Sequence, residues 1–154
     1  FDPQLAKVVT NHSAGLILNH MRGTPETWAK LPPLPDVMGT VVNECEASVH
    51  RVMRSGVERS RIVVDPGLGF GKRKEQNAEI LARLHMFNRL DLPVLVGPSR
   101  KSFLAQPTTD ETEYATAAAV TAAILGGAHL VRVHNIKMMA AAVRLADSVA
   151  RHMG

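Results

Sequence analysis

Apolar residues alternate between two rhythms along the chain. Four short runs rich in branched residues have the length and composition of buried strands: 14–18, 62–64, 94–96 and 129–133. Between them the apolar positions recur at helical spacing. A first helix is expected to open on Asp2 as N-cap with Pro3 in its first turn, and to run through Leu5, Val8 and Val9 toward Asn11. A second covers 37–54 and is closed by Gly56. A third, over 75–90, lines Ile80, Leu81, Leu84 and Phe87 along one face. An alanine-rich helix over 113–125 stops at Gly126-Gly127, and a last one spans 137–152. Residues 22–35, rich in proline, read as a long loop.

This αβαβαβαβα order predicts a single α/β domain over residues 1–154, with a parallel sheet covered by helices. Two architectures fit, an open doubly wound sheet or part of a (β/α)8 barrel. Gly67, Gly69 and Gly71 stand at every second position, a spacing unlike the dinucleotide-binding fingerprint, and this leans the reading toward the barrel.

Polar signatures close three successive strands. Asp65-Pro66-Gly67-Leu68-Gly69-Phe70-Gly71-Lys72 follows the second, Gly97-Pro98-Ser99-Arg100-Lys101 the third, and Arg132-Val133-His134 ends the fourth. Residues two apart on a strand share a face, so Arg132 lies with His134 while Val131 and Val133 face the helices. A carboxylate, a Ser/Lys pair and an Arg/His pair at one end of a parallel sheet are suited to an anionic ligand. Asp65 would accept from a flat edge bearing adjacent N–H groups, or simply cap a turn. The glycines would let backbone approach a flat ligand with Phe70 as a wall. Lys101 would neutralise an anion or donate to a heterocycle carbonyl, Ser99 would meet a carboxylate, and Arg100 would point away. A lone His20 at a strand end reads as structural.

The bulk numbers narrow the classes. Lys and Arg exceed Asp and Glu by 18 to 14, but they are dispersed and aromatics make up only 4% of the chain, so no nucleic-acid partner is expected. No stretch approaches the roughly 20 apolar residues of a membrane helix, and no signal peptide opens the sequence. Cys45, the single cysteine, lies between Glu44 and Glu46, which would raise its pKa; it implies a reducing, cytoplasmic setting. The chain begins at Phe1 without an initiator Met and reads as a piece of something longer.

Taken together, Asp-Pro-Gly-x-Gly-Phe-Gly-Lys, Gly-x-Ser-Arg-Lys-x-Phe and Arg-Val-His, preceded by His20-Met21-Arg22-Gly23-Thr24-Pro25, strongly resemble dihydropteroate synthase, the folate-pathway enzyme targeted by sulfonamides. The resemblance covers nearly the whole chain and implies strands five to eight of a (β/α)8 TIM barrel. It implies a transferase reaction in which para-aminobenzoate displaces pyrophosphate from 6-hydroxymethyl-7,8-dihydropterin pyrophosphate. By resemblance, Asp65, Lys101, Arg132, Gly97, Phe70, Gly69 and Asn19 would form the pterin site. Ser99 and Lys101 would meet para-aminobenzoate, Arg132 and His134 would hold the pyrophosphate, and Lys101, Arg132 and His134 would be the catalytic set.

The resemblance also implies Mg2+, whose Asn ligand belongs to the family's first four strands, together with the loop that grips aminobenzoate; no metal ligand is expected in this chain. Asn19 stands where the family usually has an apolar residue, and Asn135 where it usually has Asp. The chain alone is therefore expected to be inactive. Four strands would leave two open edges, which a homodimer related by a two-fold axis would cover. A methyltetrahydrofolate methyltransferase sharing the pterin barrel and an inert, self-associating half-barrel are the alternatives.

Overall fold

Strands and helices alternate through residues 3–153, the part of the chain that the computed structural model describes. They are α1 (Pro3–Asn11), β1 (Leu16–Asn19), α2 (Val37–Arg54), β2 (Ile62–Asp65), α3 (Lys74–Ala82), β3 (Leu95–Val96), α4 (Thr109–Leu125), β4 (Leu130–Val131) and α5 (Ile136–Ala150). The expected cap at Asp2 lies outside the described residues. β1 pairs with β2 in parallel, Leu16 opposite Ile62 through Asn19 opposite Asp65. β3 pairs with β4 in parallel, Leu95 opposite Leu130. A single parallel bridge, Val64 to Val94, joins the two pairs. Spatial order thus equals sequence order, as in an arc of a barrel; a doubly wound sheet reverses at a switch point.

The boundaries differ from expectation where local chemistry intervenes. α4 begins at Thr109 rather than 113 because Thr108 and Glu111 cap it reciprocally: the Thr108 hydroxyl accepts from Glu111 N (3.2 Å) and the Glu111 carboxylate from Thr108 N (3.1 Å). The helix expected over 75–90 is broken at Arg83, and Leu84–Leu90 continues as a 3-10 helix. Leu84, Phe87 and Leu90 are all buried there, and a three-residue turn keeps all three on one face where an α-helix would rotate Leu90 away. α2 runs over 37–54 as expected, with the Asp36 carboxylate accepting from Gly39 N (2.9 Å) and Gly56 taking φ +95° just past its end.

The two faces of the strands are unlike. Ile62, Val64, Val94 and Val96 point to the helices, where they join Val41, Val42, Val49, Val52, Ile80 and Phe87 in the main core. A smaller cluster of Val120, Ile124, Met139 and Ala146 binds α4 to α5, with Val131 and Val133 against it. The opposite face carries Ile17, Val63, Leu95 and Leu130, then Asn19, Asp65, Gly97 and Arg132 toward the C-terminal ends. Its apolar rim is open: Ile17 is 50% and Leu130 44% exposed.

Candidate active site

The loop after β2 is built around a buried lysine. Lys72 Nζ donates to the carbonyls of Gly67 (2.8 Å), Phe70 (3.3 Å) and His20 (3.4 Å), so one ammonium ties the loop to itself and to the end of β1. Burial pushes its pKa down to about 8, against opposing pulls from Cys45, Asp65 and Glu44. Asn77 completes the brace: its carbonyl oxygen accepts from Gly69 N (2.7 Å) while its amide donates to Arg73 O (2.7 Å). Gly67 is required by its φ of +68° and by His20 O, which would lie 1.8 Å from a Cβ.

This brace aims Asp65. The residue is 1% exposed; Oδ1 accepts from Gly67 N (2.8 Å), and Oδ2 has no hydrogen bond. Its nearest cation is Arg132, Nη2 to Oδ2 at 3.6 Å. The two side chains come from β2 and from the end of β4, with β3 between them. Gly97 makes the crossing possible, since a Cβ there would stand 2.9 Å from Arg132 Nη2 and 3.1 Å from Nε. Lys101 lies across Gly69 in the same way, 3.2 Å from its would-be Cβ to Cδ, with Nζ 3.9 Å above the centre of the Phe70 ring. Burial, and then the Arg132 charge, hold Lys101 below the usual lysine range, with Asp65 opposing. Trp28, from the proline-rich loop, meets Phe70 edge-on at 5.2 Å.

The third and fourth strand ends also meet. Ser99 is 5% exposed, and its Oγ lies 2.9 Å from His134 Nδ1 and 3.3 Å from His134 N. The hydroxyl expected from sequence to meet aminobenzoate is thus engaged by His134. Arg100 points away as expected: Nε and Nη2 both lie 2.7 Å from Glu113 Oε1 on α4, with backbone φ +55°. Asn135 caps α5, accepting from Met138 N (3.0 Å) as an Asp could.

The remaining sequence candidates sit at the margin. His20 is buried and structural: Nε2 lies 2.9 Å from Glu44 Oε2, and burial followed by the Lys72 charge pushes its pKa down to about 4. Cys45 is raised to about 12, chiefly by burial, with its carboxylate neighbours a lesser cause than the sequence suggested. Asn19 is exposed, beside Gly67. Among the described residues no three His, Cys, Asp or Glu side chains assemble as a metal site. Asp65 faces Arg132 and Lys101, a cationic setting that does not fit Mg2+. Among the described residues no helix is long and apolar enough to cross a membrane.

Asp65, Gly69, Phe70, Gly97, Lys101 and Arg132 therefore come together, with Ser99 and His134 paired beside them. Sequence reasoning assigned no role to Lys72, Asn77 or Trp28. Lys72 stood inside a quoted motif and its burial was the missing fact; the other two carry no spacing signal. Chemically, the cluster joins a shielded carboxylate to two cations and an exposed imidazole edge. It can accept from the N–H edge of a flat heterocycle while neutralising an attached anion.

Comparison with known proteins agrees with this chemistry. The family profile described as pterin binding enzyme matches residues 1–134. The chain is 40% identical over 155 residues to a dihydropteroate synthase of Synechocystis, covering 98% of this chain and 54% of the relative. Among solved structures it is similar to the dihydropteroate synthase of Yersinia pestis, solved as a sulfonamide drug complex (TM-score 0.89, 27% identity, 98% of this chain and 56% of that one). It is likewise similar to the Thermus thermophilus enzyme, solved in complex with 6HMPPP (TM-score 0.87, 30% identity, 96% and 60%). The chain spans about half the length of the curated relatives it matches. With an α/β fold of parallel strands, a shielded carboxylate across from two cations, and a family match over most of its length, the chain belongs to the pterin binding enzymes.

Proposed function

We propose that this chain is the pterin- and pyrophosphate-binding half of a dihydropteroate synthase, strands five to eight of the barrel. The observation that carries the reading is the reach of Arg132 across Gly97 to the unbonded oxygen of Asp65, with Lys101 beside it. Asp65 would take the N–H edge of 6-hydroxymethyl-7,8-dihydropterin pyrophosphate. Arg132 would turn from Asp65 to stack on the ring and grip phosphate, a move left open by its 57% exposed side chain. The amine of para-aminobenzoate forms a C–N bond at the pterin methylene as the C–O bond to pyrophosphate breaks. The amine loses a proton, and charge gathers on the leaving group. Lys101, Arg132 and His134 act by positioning and by stabilising that charge.

The donor set around Asp65 does not fit Mg2+, whose ligand the resemblance places in the family's first four strands. By the resemblance, the loop that grips aminobenzoate belongs to the family's first four strands, so the chain alone binds pterin without appreciable turnover. The open rim of Ile17 and Leu130, with Leu145 (68% exposed) and Val149 (43%) on α5, supports completion by a second four-stranded body. A homodimer supplies it, in the cytoplasm in keeping with the lone buried Cys45.

Calorimetric titration of the folded chain with dihydropterin pyrophosphate tests the reading. Binding that Asp65→Asn removes is expected; a folded chain that gives no heat of binding overturns it. Turnover with para-aminobenzoate at a full-length enzyme's rate would refute the half-site assignment, and a folded monomer at micromolar concentration in sedimentation would refute the dimer.

A further inference from the structure

The exposed imidazole of His134 can present either a donor or an acceptor to its surroundings, and the buried hydroxyl beside it decides which. Ser99 Oγ lies within hydrogen-bond distance of two atoms of the same residue, the backbone N at 3.3 Å and ring Nδ1 at 2.9 Å. The backbone N–H can only donate, so Oγ accepts there. The hydroxyl proton then needs an acceptor, and among the described contacts of Ser99 the only one is Nδ1. A neutral imidazole that accepts at Nδ1 carries its proton on Nε2, the nitrogen for which the described residues supply no partner.

The setting makes this arrangement stiff. Ser99 is 5% exposed, and the adjacent Arg100 is held by Glu113 through two 2.7 Å contacts. Asn135, on the other side of His134, is fixed as the cap of α5. The hydroxyl and the ring are therefore each anchored from a different strand end.

We infer that Ser99 is a positioning residue, which holds His134 in the tautomer protonated at Nε2 and so presents a hydrogen-bond donor at the strand ends. On the functional reading above, on which this rests for its purpose, that donor meets a phosphate oxygen of the leaving pyrophosphate. An acceptor nitrogen there would repel the same oxygen. Ser99 then serves the anion through His134.

The test reads the tautomer directly. Two-bond 1H–15N spectra of the whole chain at pH 8, with the His134 signals assigned by their loss in His134→Gln, should show Nδ1 unprotonated and Nε2 protonated. In Ser99→Ala the two nitrogens should move toward averaged shifts, and inorganic pyrophosphate should bind about 5- to 30-fold more weakly. Ser99→Cys, which keeps a weak donor, should fall between. A wild-type ring protonated at Nδ1 overturns the inference, and the wild-type spectrum is decisive even if a variant fails to fold. A folded Ser99→Ala with unchanged tautomer and unchanged pyrophosphate affinity also overturns it. A wild-type Nε2–H tautomer in a chain that binds no pyrophosphate supports the positioning role and counts against the functional reading.

Discussion

Substituting Gly67 by alanine should destabilise the site and the fold with it. The residue sits at φ +68°, a conformation that costs a non-glycine residue about 1–2 kcal/mol. The added Cβ would stand 1.8 Å from His20 O and 2.9 Å from its carbonyl carbon, both backbone atoms that no side-chain rotation can clear. Relief requires the loop to draw back from the end of β1 by more than an ångström. That movement breaks the Asp65 Oδ1 bond to Gly67 N (2.8 Å) and the Lys72 Nζ bond to Gly67 O (2.8 Å). Each of these charge-assisted bonds contributes about 1.5–3 kcal/mol, and with the backbone strain the loss comes to about 4–8 kcal/mol. For a domain of this size that corresponds to a fall in Tm of roughly 10–25 °C. Thermal unfolding followed by circular dichroism measures it. Gly15→Ala is the control: its Cβ would meet nothing closer than Arg61 O at 3.8 Å, so little change is expected. A Gly67→Ala protein melting within about 3 °C of wild type would refute the argument from loop geometry.

Gly97→Ala should divide stability from binding. Its Cβ meets only the far end of the flexible Arg132 side chain, so Tm should hold within about 4 °C while affinity for dihydropterin pyrophosphate falls about tenfold or more; calorimetry showing unchanged affinity would sink the crossing argument. Acid sensitivity should trace to His20. Its folded pKa near 4 lies below the ordinary 6.5, so between those values the unfolded chain binds the extra proton. Stability should therefore fall as pH drops from 6.5 toward 4, by a contribution on the order of 3 kcal/mol. Urea midpoints from pH 7 to pH 5 should fall less steeply for His20→Gln, and equal slopes would refute the assignment.

Much of this molecule was legible in its sequence because the relevant signals are local. The 3.6-residue rhythm placed α2 over 37–54, and branched apolar runs marked all four strands. Alternation along a strand put Val131 and Val133 toward the helices and left Arg132 and His134 on the other side. Three short motifs were specific enough together to indicate a pterin site, and a resemblance built on them agreed with the family match. What escaped was set by partners distant in the chain. The apolar face over 75–90 could not reveal that three-residue spacing wins after Arg83, since that depends on what Leu84, Phe87 and Leu90 pack against. Nor could it show that Lys72 is buried under three carbonyls, or that Ser99 faces a histidine 35 residues away.

The sequence by itself determined which side chains arrive at the strand ends, because periodicity and β-branching are properties of neighbouring residues. Only the tertiary structure decided which of them meet. Parallel strands in sequential order bring Asp65 and Arg132 to either side of β3, and the missing side chain at Gly97 lets the Arg132 guanidinium reach across to the carboxylate. Burial then sets how each group behaves: it lowers Lys72 to about 8 and His20 to about 4, and it leaves the Ser99 hydroxyl shielded beside His134. Burial sums over atoms from the whole fold, so no local stretch of sequence contains it.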